Sequence, residues 1–306
     1  YNPYETKYQV DDDNNILYDE FGQPLWNLTG NGFSISEALV NNPEDEYSTT
    51  ILGGITAKAT ISDALTNTFK VGATNVRSRR EYFNKPGSVL DGYVGDADNP
   101  GSKTDNGSMF LSYVITNLLS YNKVINEKHD FTVTGLFEFN KNTSRSYSLS
   151  SIGFSNPDFS VQSVAALPDA ASTSLFENTI LSYGAFIDYG YDGRFFVTAS
   201  ARKDSSSVFG SNNRSGTFTS ASAAWNIAKE DWWDYELVND LKLRASAGTS
   251  GNSNGIGSYA SLATLGFGSL NGASTAIPTD NGNQDLGFEE NFIFDIAKLK
   301  KDWSPA

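Results

Sequence analysis

The chain contains no cysteine among its 306 residues, so neither a disulfide framework nor a thiolate metal site can be built. It has one histidine, His129, so a Ser-His-Asp hydrolase would have no other base to draw on. Basic residues are also scarce. The 22 Lys and Arg stand against 36 Asp and Glu, for a net charge of −14. Nucleic acid is excluded as a partner, because phosphate backbones are held by clustered cations. No stretch approaches the roughly 18 consecutive apolar residues of a membrane-spanning helix. Tyr1-Asn2-Pro3 is not a signal-peptide start, so any such segment is expected upstream.

Hydrophobic residues make up only 39% of the chain, yet their spacing is regular. Between Leu181 and Trp233 three segments alternate with period two. Leu181, Tyr183, Ala185, Ile187, Tyr189 and Tyr191 share one face of the first. After the turn Asp192-Gly193, Phe195, Val197, Ala199 and Ala201 share a face of the second, opposite Thr198, Ser200, Arg202 and Asp204. Ala221, Ala223, Trp225 and Ile227 continue the pattern in the third. Successive strand side chains point to opposite faces, so this is an antiparallel meander with one greasy and one polar face.

The same period runs through Ile51 to Ile61, Leu65 to Ala73, Leu111 to Tyr121, Phe131 to Phe139 and Leu241 to Ala247. Connections alternate in length. Short turns fall near 63, 127 and 192, and long polar loops are expected near 79–108, 144–178, 205–213 and 266–287. Segregation of short turns from long loops is the habit of an outer-membrane β-barrel, which needs an apolar residue only at alternate positions of roughly ten-residue strands. A soluble β-sandwich is the competing architecture. Parity predicts that Ile55, Val133, Val197 and Ala199 face lipid, and that Ser200, Thr134 and Arg244 face the lumen. A cation at the bilayer midplane would cost about 2–4 kcal/mol.

Candidate chemistry is sparse. Asp11, Asp12 and Asp13 suggest a calcium loop, but Ile16 and Gly22 stand where an EF-hand needs Gly and Glu. Gly251 to Gly257 lacks the Gly-Lys-Ser/Thr ending of a P-loop. His129 lies between Lys128 and Asp130, as a solvated turn would have it. No cofactor, metal or catalytic residue is therefore expected. Arg202 and Arg214 flank the 205–213 loop, and with Asp204 between two guanidiniums they are expected to pin it by charge-assisted hydrogen bonds, a substrate contact being the alternative.

Ala201-Arg202-Lys203-Asp204-Ser205-Ser206-Ser207-Val208-Phe209-Gly210, Asn213-Arg214, Glu230-Asp231-Trp232 and Leu241 to Asn252 resemble the signature of SusC/RagA-type TonB-dependent outer-membrane transporters. Asn117 to Lys123 looks like the same family's preceding hairpin, and Asn283-Gln284-Asp285-Leu286-Gly287-Phe288-Glu289 like a shortened later motif. The match runs from Tyr47 to about Glu289. Ser205, Val208, Thr219 and Ala247 depart from the usual residues. The resemblance implies an all-β, antiparallel transmembrane barrel segment, roughly half of a large barrel, without the plug or TonB box. It also implies a place in the bacterial outer membrane, in contact with its lipid. Implied partners are a SusD-like surface lipoprotein, the TonB complex and a glycan or peptide substrate. A secreted all-β binding or adhesive module is the alternative.

Overall fold

The computed structural model describes residues 6–302, apart from 20, 21, 23, 28–34, 235–237 and 254. Strands dominate it: β1 Glu44–Thr60, β2 Leu65–Asn84, β3 Ser102–Ile125, β4 His129–Ile152, β5 Leu167–Tyr191, β6 Phe195–Ser206, β7 Ser215–Asn226, β8 Val238–Asn252, β9 Thr264–Leu270, β10 Ala273–Asp280 and β11 Glu289–Asp302. Two short helices, α1 Ile35–Asn41 and α2 Val89–Val94, lie in the connections before β1 and before β3. Nine strands form one sheet in the order β1-β2-β3-β4-β5-β6-β7-β8-β11, while β9 and β10 pair only with each other. This is an up-and-down meander in which each turn hands the chain to the neighbouring strand.

The short turns have the backbone that tight hairpins require. Asn126 and Glu127 both have positive φ, as do Asp192 and Gly193, and Lys128 and Arg194 donate their N–H groups back to Ile125 and Tyr191. Two positive-φ residues in succession match the right-handed twist of the flanking strands. The same geometry recurs at Asn271-Gly272 between β9 and β10.

Two compact units divide the chain. The first draws on Tyr1–Ile51, Asn75–Phe110 and Ser144–Leu175. Phe83 and Phe154 are almost wholly buried there and meet edge to face with centroids 5.1 Å apart. Gly101 lies against them at φ +80, where a Cβ would stand 2.9 Å from Pro86 and 3.2 Å from Phe154. The buried Asp91 carboxylate accepts from the Gly87 and Gly101 N–H groups, and the Ser88 hydroxyl accepts from the Asp91 N–H at the start of α2. The second unit draws on Leu52–Thr74, Leu111–Thr143 and Phe176–Ala306. Among the described residues its buried apolar side chains are few: Val208, Phe209, Phe218, Ile227 and Leu241.

Several expected loops are shorter than the sequence reading placed them. Residues 79–84 and 102–108 are strand, as are 144–152 and 167–178, so the connections shrink to 85–101 and 153–166. The pattern hid them because one face of these strand ends is largely polar and charged residues such as Arg145 interrupt the other. Ser78–Ser108 and Ser146–Ser174 pair hydroxyl to hydroxyl, at 2.6 and 2.7 Å. The 266–287 stretch holds the β9–β10 hairpin, and its Asn271-Gly272 dipeptide was the missed signal. The connection Ala228 to Asp240 predicts a helical turn around Glu230 to Trp233, and the turn of helix lies instead at Ile227–Lys229. The mixed spacing of Phe33 to Asn42 before Pro43 predicts one short helix; Ile35–Asn41 is helical, and Phe33 and Ser34 lie outside the described residues. Tyr1 to Val10 also reads as the end of a strand; residues 1–5 lie outside the described residues, and Tyr8 and Val10 make isolated bridges to Trp26 and Ile16.

Candidate functional site

Pairing registers from β5 through β8 to β11 show how the two faces separate. Tyr189, Val197, Ala223, Ala245 and Ile296 stand side by side on five adjacent strands, and so do Ile187, Ala199, Ala221, Ala247 and Phe294. One residue along, the row is Asp188, Thr198, Ser222, Ser246 and Asp295. A slip of one residue in any pair would mix the rows, so the register itself sorts polar from apolar. On the apolar face Tyr183, Ile187 and Val197 remain 53%, 47% and 46% exposed. Exposed apolar side chains in contiguous rows mark a surface that meets something other than water.

Val197 and Ala199 thus share the apolar face, and Ser200 the polar one, where its hydroxyl meets Ser220 at 2.7 Å. Val133 has the parity of Phe131, whose ring meets that of Tyr189 at 4.6 Å. Thr134 has the opposite parity and pairs with the Ser120 hydroxyl at 3.0 Å. Arg244 lies opposite Ala224, which lies opposite Phe196, in a row of the polar parity. Ile55, on β1, is 74% exposed. Asn67 and Asn117 interrupt the greasy alternation of β2 and β3. Each amide donates to the other at 3.1 Å, which offsets part of their desolvation.

Arg202 is the hub of the polar face. Its Nε donates to Asp204 Oδ1 at 2.7 Å, and its Nη2 donates to Glu138 Oε1 at 3.2 Å and to Ser182 Oγ at 3.0 Å. The Thr116 hydroxyl donates to the other Glu138 oxygen at 3.3 Å. All five residues sit at even positions of four consecutive strands, so backbone alternation alone aims them at one another. The Arg202 side chain is 37% exposed, which limits each pair to about 1 kcal/mol or less.

The expected pin through Arg214 is not formed. Arg214 is exposed, and among the described residues no carboxylate lies within ion-pairing distance of it. The 207–214 loop is held instead by the 283–288 segment. Gly210 and Asn212 donate backbone N–H groups to the Leu286 and Gln284 carbonyls, and the Asn212 and Asn213 amides donate to the Asp285 carboxylate and carbonyl. Beneath them Phe288 packs on Phe209 and Phe218, at 4.3 and 5.4 Å between centroids. Gly216 and Gly251 make room for the Phe218 ring. Both clasping segments carry the resemblance noted in the sequence, but nothing in their spacing announces that they touch.

At the short turns the aromatic residues gather. The His129 ring lies 4.9 Å from that of Tyr191, and its Nδ1 is 2.9 Å from the Tyr189 hydroxyl. Phe195 stacks on Trp225 at 6.0 Å, and Trp225 meets Trp232. Aromatic girdles of this kind occupy the interfaces of membrane barrels. The lone histidine is part of that cluster rather than a solvated turn residue. In the acidic turn, the Asp11 carboxylate accepts from the Asn15 side chain and from the Asn15 and Asp13 N–H groups. These bonds, the Asn15 side chain foremost, hold its carboxyl below the usual range.

No family model matches the chain. It is 30% identical over 276 residues to TonB-dependent receptor P39 of Formosa agariphila, covering 85% of this chain and 25% of that protein. TonB-dependent receptor SusC of Bacteroides thetaiotaomicron is 38% identical over 78 residues, 25% of this chain and 8% of that protein. The chain thus spans about a quarter of the length of P39. Among solved structures, the RagAB peptide importer in its closed-closed state superposes with a TM-score of 0.82 at 25% identity, over 99% of this chain and 32% of that one. A second RagAB peptide transporter structure gives 0.83 over 92% of this chain and 32% of that one, at 24% identity. With its two-faced meander and these likenesses, the chain belongs to the SusC/RagA-type TonB-dependent receptors and forms a stretch of their β-barrel wall.

Proposed function

We propose that this chain is wall and rim of an outer-membrane importer that takes up glycan or peptide nutrients together with a SusD-like surface lipoprotein, powered through the TonB complex. The observation that carries this reading is the register-locked separation of faces, Tyr189-Val197-Ala223-Ala245-Ile296 against Asp188-Thr198-Ser222-Ser246-Asp295. A wall with one apolar and one hydrogen-bonding face suits hydrocarbon outside and a polar lumen inside. In that setting Ile55, Val133, Val197 and Ala199 contact lipid, while Ser200, Thr134 and Arg244 line the lumen. Arg202, Asp204, Glu138 and Ser182 brace the lumenal side, and the clasp between 207–214 and 283–288 stiffens the outer rim. The wall makes and breaks no bond; ligand captured by the lipoprotein passes once the plug is displaced.

The test is deletion of the full-length receptor gene, with growth measured on peptides and on glycans as sole nutrients, and affinity purification of the tagged receptor from outer membranes. The expected result is loss of growth on one nutrient class and recovery of a surface lipoprotein with the receptor. Unchanged growth on every nutrient, with the receptor recovered alone, would overturn the reading.

A further inference from the structure

On the apolar side of the first unit the strands carry a feature that transport does not use. Arg77 on β2 and Arg145 on β4 line an open-sided hollow of about 590 Å³, together with Gly107 and Met109 on β3, Tyr147 on β4 and Leu175 on β5. Gly107 shapes it. A Cβ there would stand 2.3 Å from the Tyr147 ring, so the glycine lets that ring lie down on the β3 backbone. Tyr147 and Leu175 are nevertheless 43% and 44% exposed. The floor is therefore a flat aromatic and aliphatic surface open to the outside, with a guanidinium on either flank.

Neither guanidinium is neutralised. Among the described residues no carboxylate lies within ion-pairing distance of Arg77 or Arg145. The nearby acids on these strands are already engaged: Glu81 by Arg79 and Lys103, and Asp105 by Lys103. In a chain of net charge −14, two exposed and unpaired arginines beside one hollow are an anion site in outline. Arginine suits phosphate because its planar fork presents paired N–H donors to two oxygens at once.

Parity says which anion. Arg145 and Tyr147 hold odd positions on β4, with Phe131, Val133 and Phe137, and the pairs Asn142–Asn178 and Ser146–Ser174 keep one register through this part of the strand. The hollow thus opens on the face assigned to lipid. Counting along the strands sets its level. Arg145 is sixteen residues past His129, the first of β4, and Arg77 is twelve past Leu65, the first of β2. About 9–11 residues cross the hydrocarbon, so both arginines fall beyond it, on the side away from the short turns.

We propose that Arg77, Arg145 and Tyr147 form a site for the phosphorylated headgroup of an outer-leaflet lipid, the guanidiniums holding phosphate and the Tyr147 ring receiving a headgroup sugar. The site anchors the wall at its outer membrane boundary. It rests on the lipid facing proposed above, and the test separates the two.

Full-length receptor in neutral detergent is titrated with bisphosphorylated lipid A, with the same lipid after dephosphorylation, and with inorganic phosphate, and bound lipid is read by native mass spectrometry. The receptor is expected to retain bisphosphorylated lipid A, and the Arg77→Gln/Arg145→Gln double variant to bind it at least about tenfold more weakly. Tyr147→Leu should lower retention while sparing the phosphate preference. Equal retention by wild type and double variant overturns the site, and so does equal retention of the dephosphorylated lipid. Competition by millimolar inorganic phosphate as strong as that by the lipid would assign a free-phosphate site and overturn the lipid source. In the same preparation, cysteines at Val133 and Thr134 report the facing. If Val133 is shielded and Thr134 labelled while the double variant binds normally, the site fails and the facing stands. If Val133 labels like Thr134, both fail.

Discussion

Gly210 and Gln284 approach so closely that a Cβ on Gly210 would stand 1.9 Å from the Gln284 carbonyl oxygen. No side chain can be accommodated without moving a backbone. The clasp between the 207–214 loop and the 283–288 segment therefore depends on a glycine, and the Gly210 N–H to Leu286 carbonyl bond at 2.9 Å depends on the same approach.

Gly210→Ala should open the clasp at a cost of about 1–3 kcal/mol, the usual range for forcing a methyl into a packed site. In the full-length receptor, protease cutting between 207 and 214 should rise severalfold while heat-modifiable migration of the barrel is retained. Arg214→Gln, by contrast, should leave cutting unchanged, because Arg214 makes no ion pair among the described residues. Increased cutting in Arg214→Gln with none in Gly210→Ala would restore the electrostatic pin in place of the clasp.

Arg202 sets up a second test, by coupling. Asp204→Ala leaves the guanidinium with Glu138 and Ser182, so the loss should be about 1 kcal/mol or less. Glu138→Ala leaves it with Asp204 and Ser182, again a small loss. Removing both carboxylates strips a half-exposed cation of its charged partners, and the double variant should be less stable than the sum by about 0.5 kcal/mol or more. Urea unfolding of the receptor in detergent measures this. Additivity within about 0.3 kcal/mol would show that the two carboxylates act independently.

Why Asp204 was legible and Glu138 was not is a matter of distance along the chain. Period-two alternation placed Arg202 and Asp204 on one face of one strand, and the pair is observed. Glu138 is 64 residues away, and only the registers of β4, β5 and β6 bring it to the guanidinium. The 283–288 clasp escaped for the same reason. Strand existence in the transmembrane stretches was readable because lipid and water impose opposite chemistries on alternate residues. Toward the strand ends serine fills most of one face and Arg145 breaks the apolar run of the other, so residues 144–152 read as loop although they are strand. Asn271-Gly272 is by contrast a local signal, and it marks the β9–β10 turn without any long-range register.

Cysteine scanning checks the facing. Cysteines at Ile55, Val133, Val197 and Ala199 in the full-length receptor should resist a membrane-impermeant thiol reagent, and those at Ser200, Thr134 and Arg244 should react at least several times faster. The absence of native cysteine gives a silent background. Indistinguishable rates for the two sets would contradict the two-faced wall, whatever the growth phenotype of the gene.

The 306-residue chain by itself should transport nothing. Its main sheet has nine strands in a row, and among the described residues β1 pairs only with β2 and β11 only with β8. Plugged outer-membrane transporters have about 22 strands, and barrel diameter grows with strand number. Closing nine strands would require a much smaller circumference, whose lumen could not hold the Arg202, Glu138 and Asp204 side chains together with the clasp. Left open, the sheet exposes the backbone of two edges, and each unpaired group in hydrocarbon costs several kcal/mol. Neither state persists in a bilayer. Expressed alone, the chain should aggregate or be degraded, and vesicles made with it should pass neither sugar nor peptide. A monodisperse, detergent-free monomer with a cooperative melt would mean that the exposed rows around Tyr183, Ile187 and Val197 tolerate water, and a soluble binding module would then replace the membrane wall.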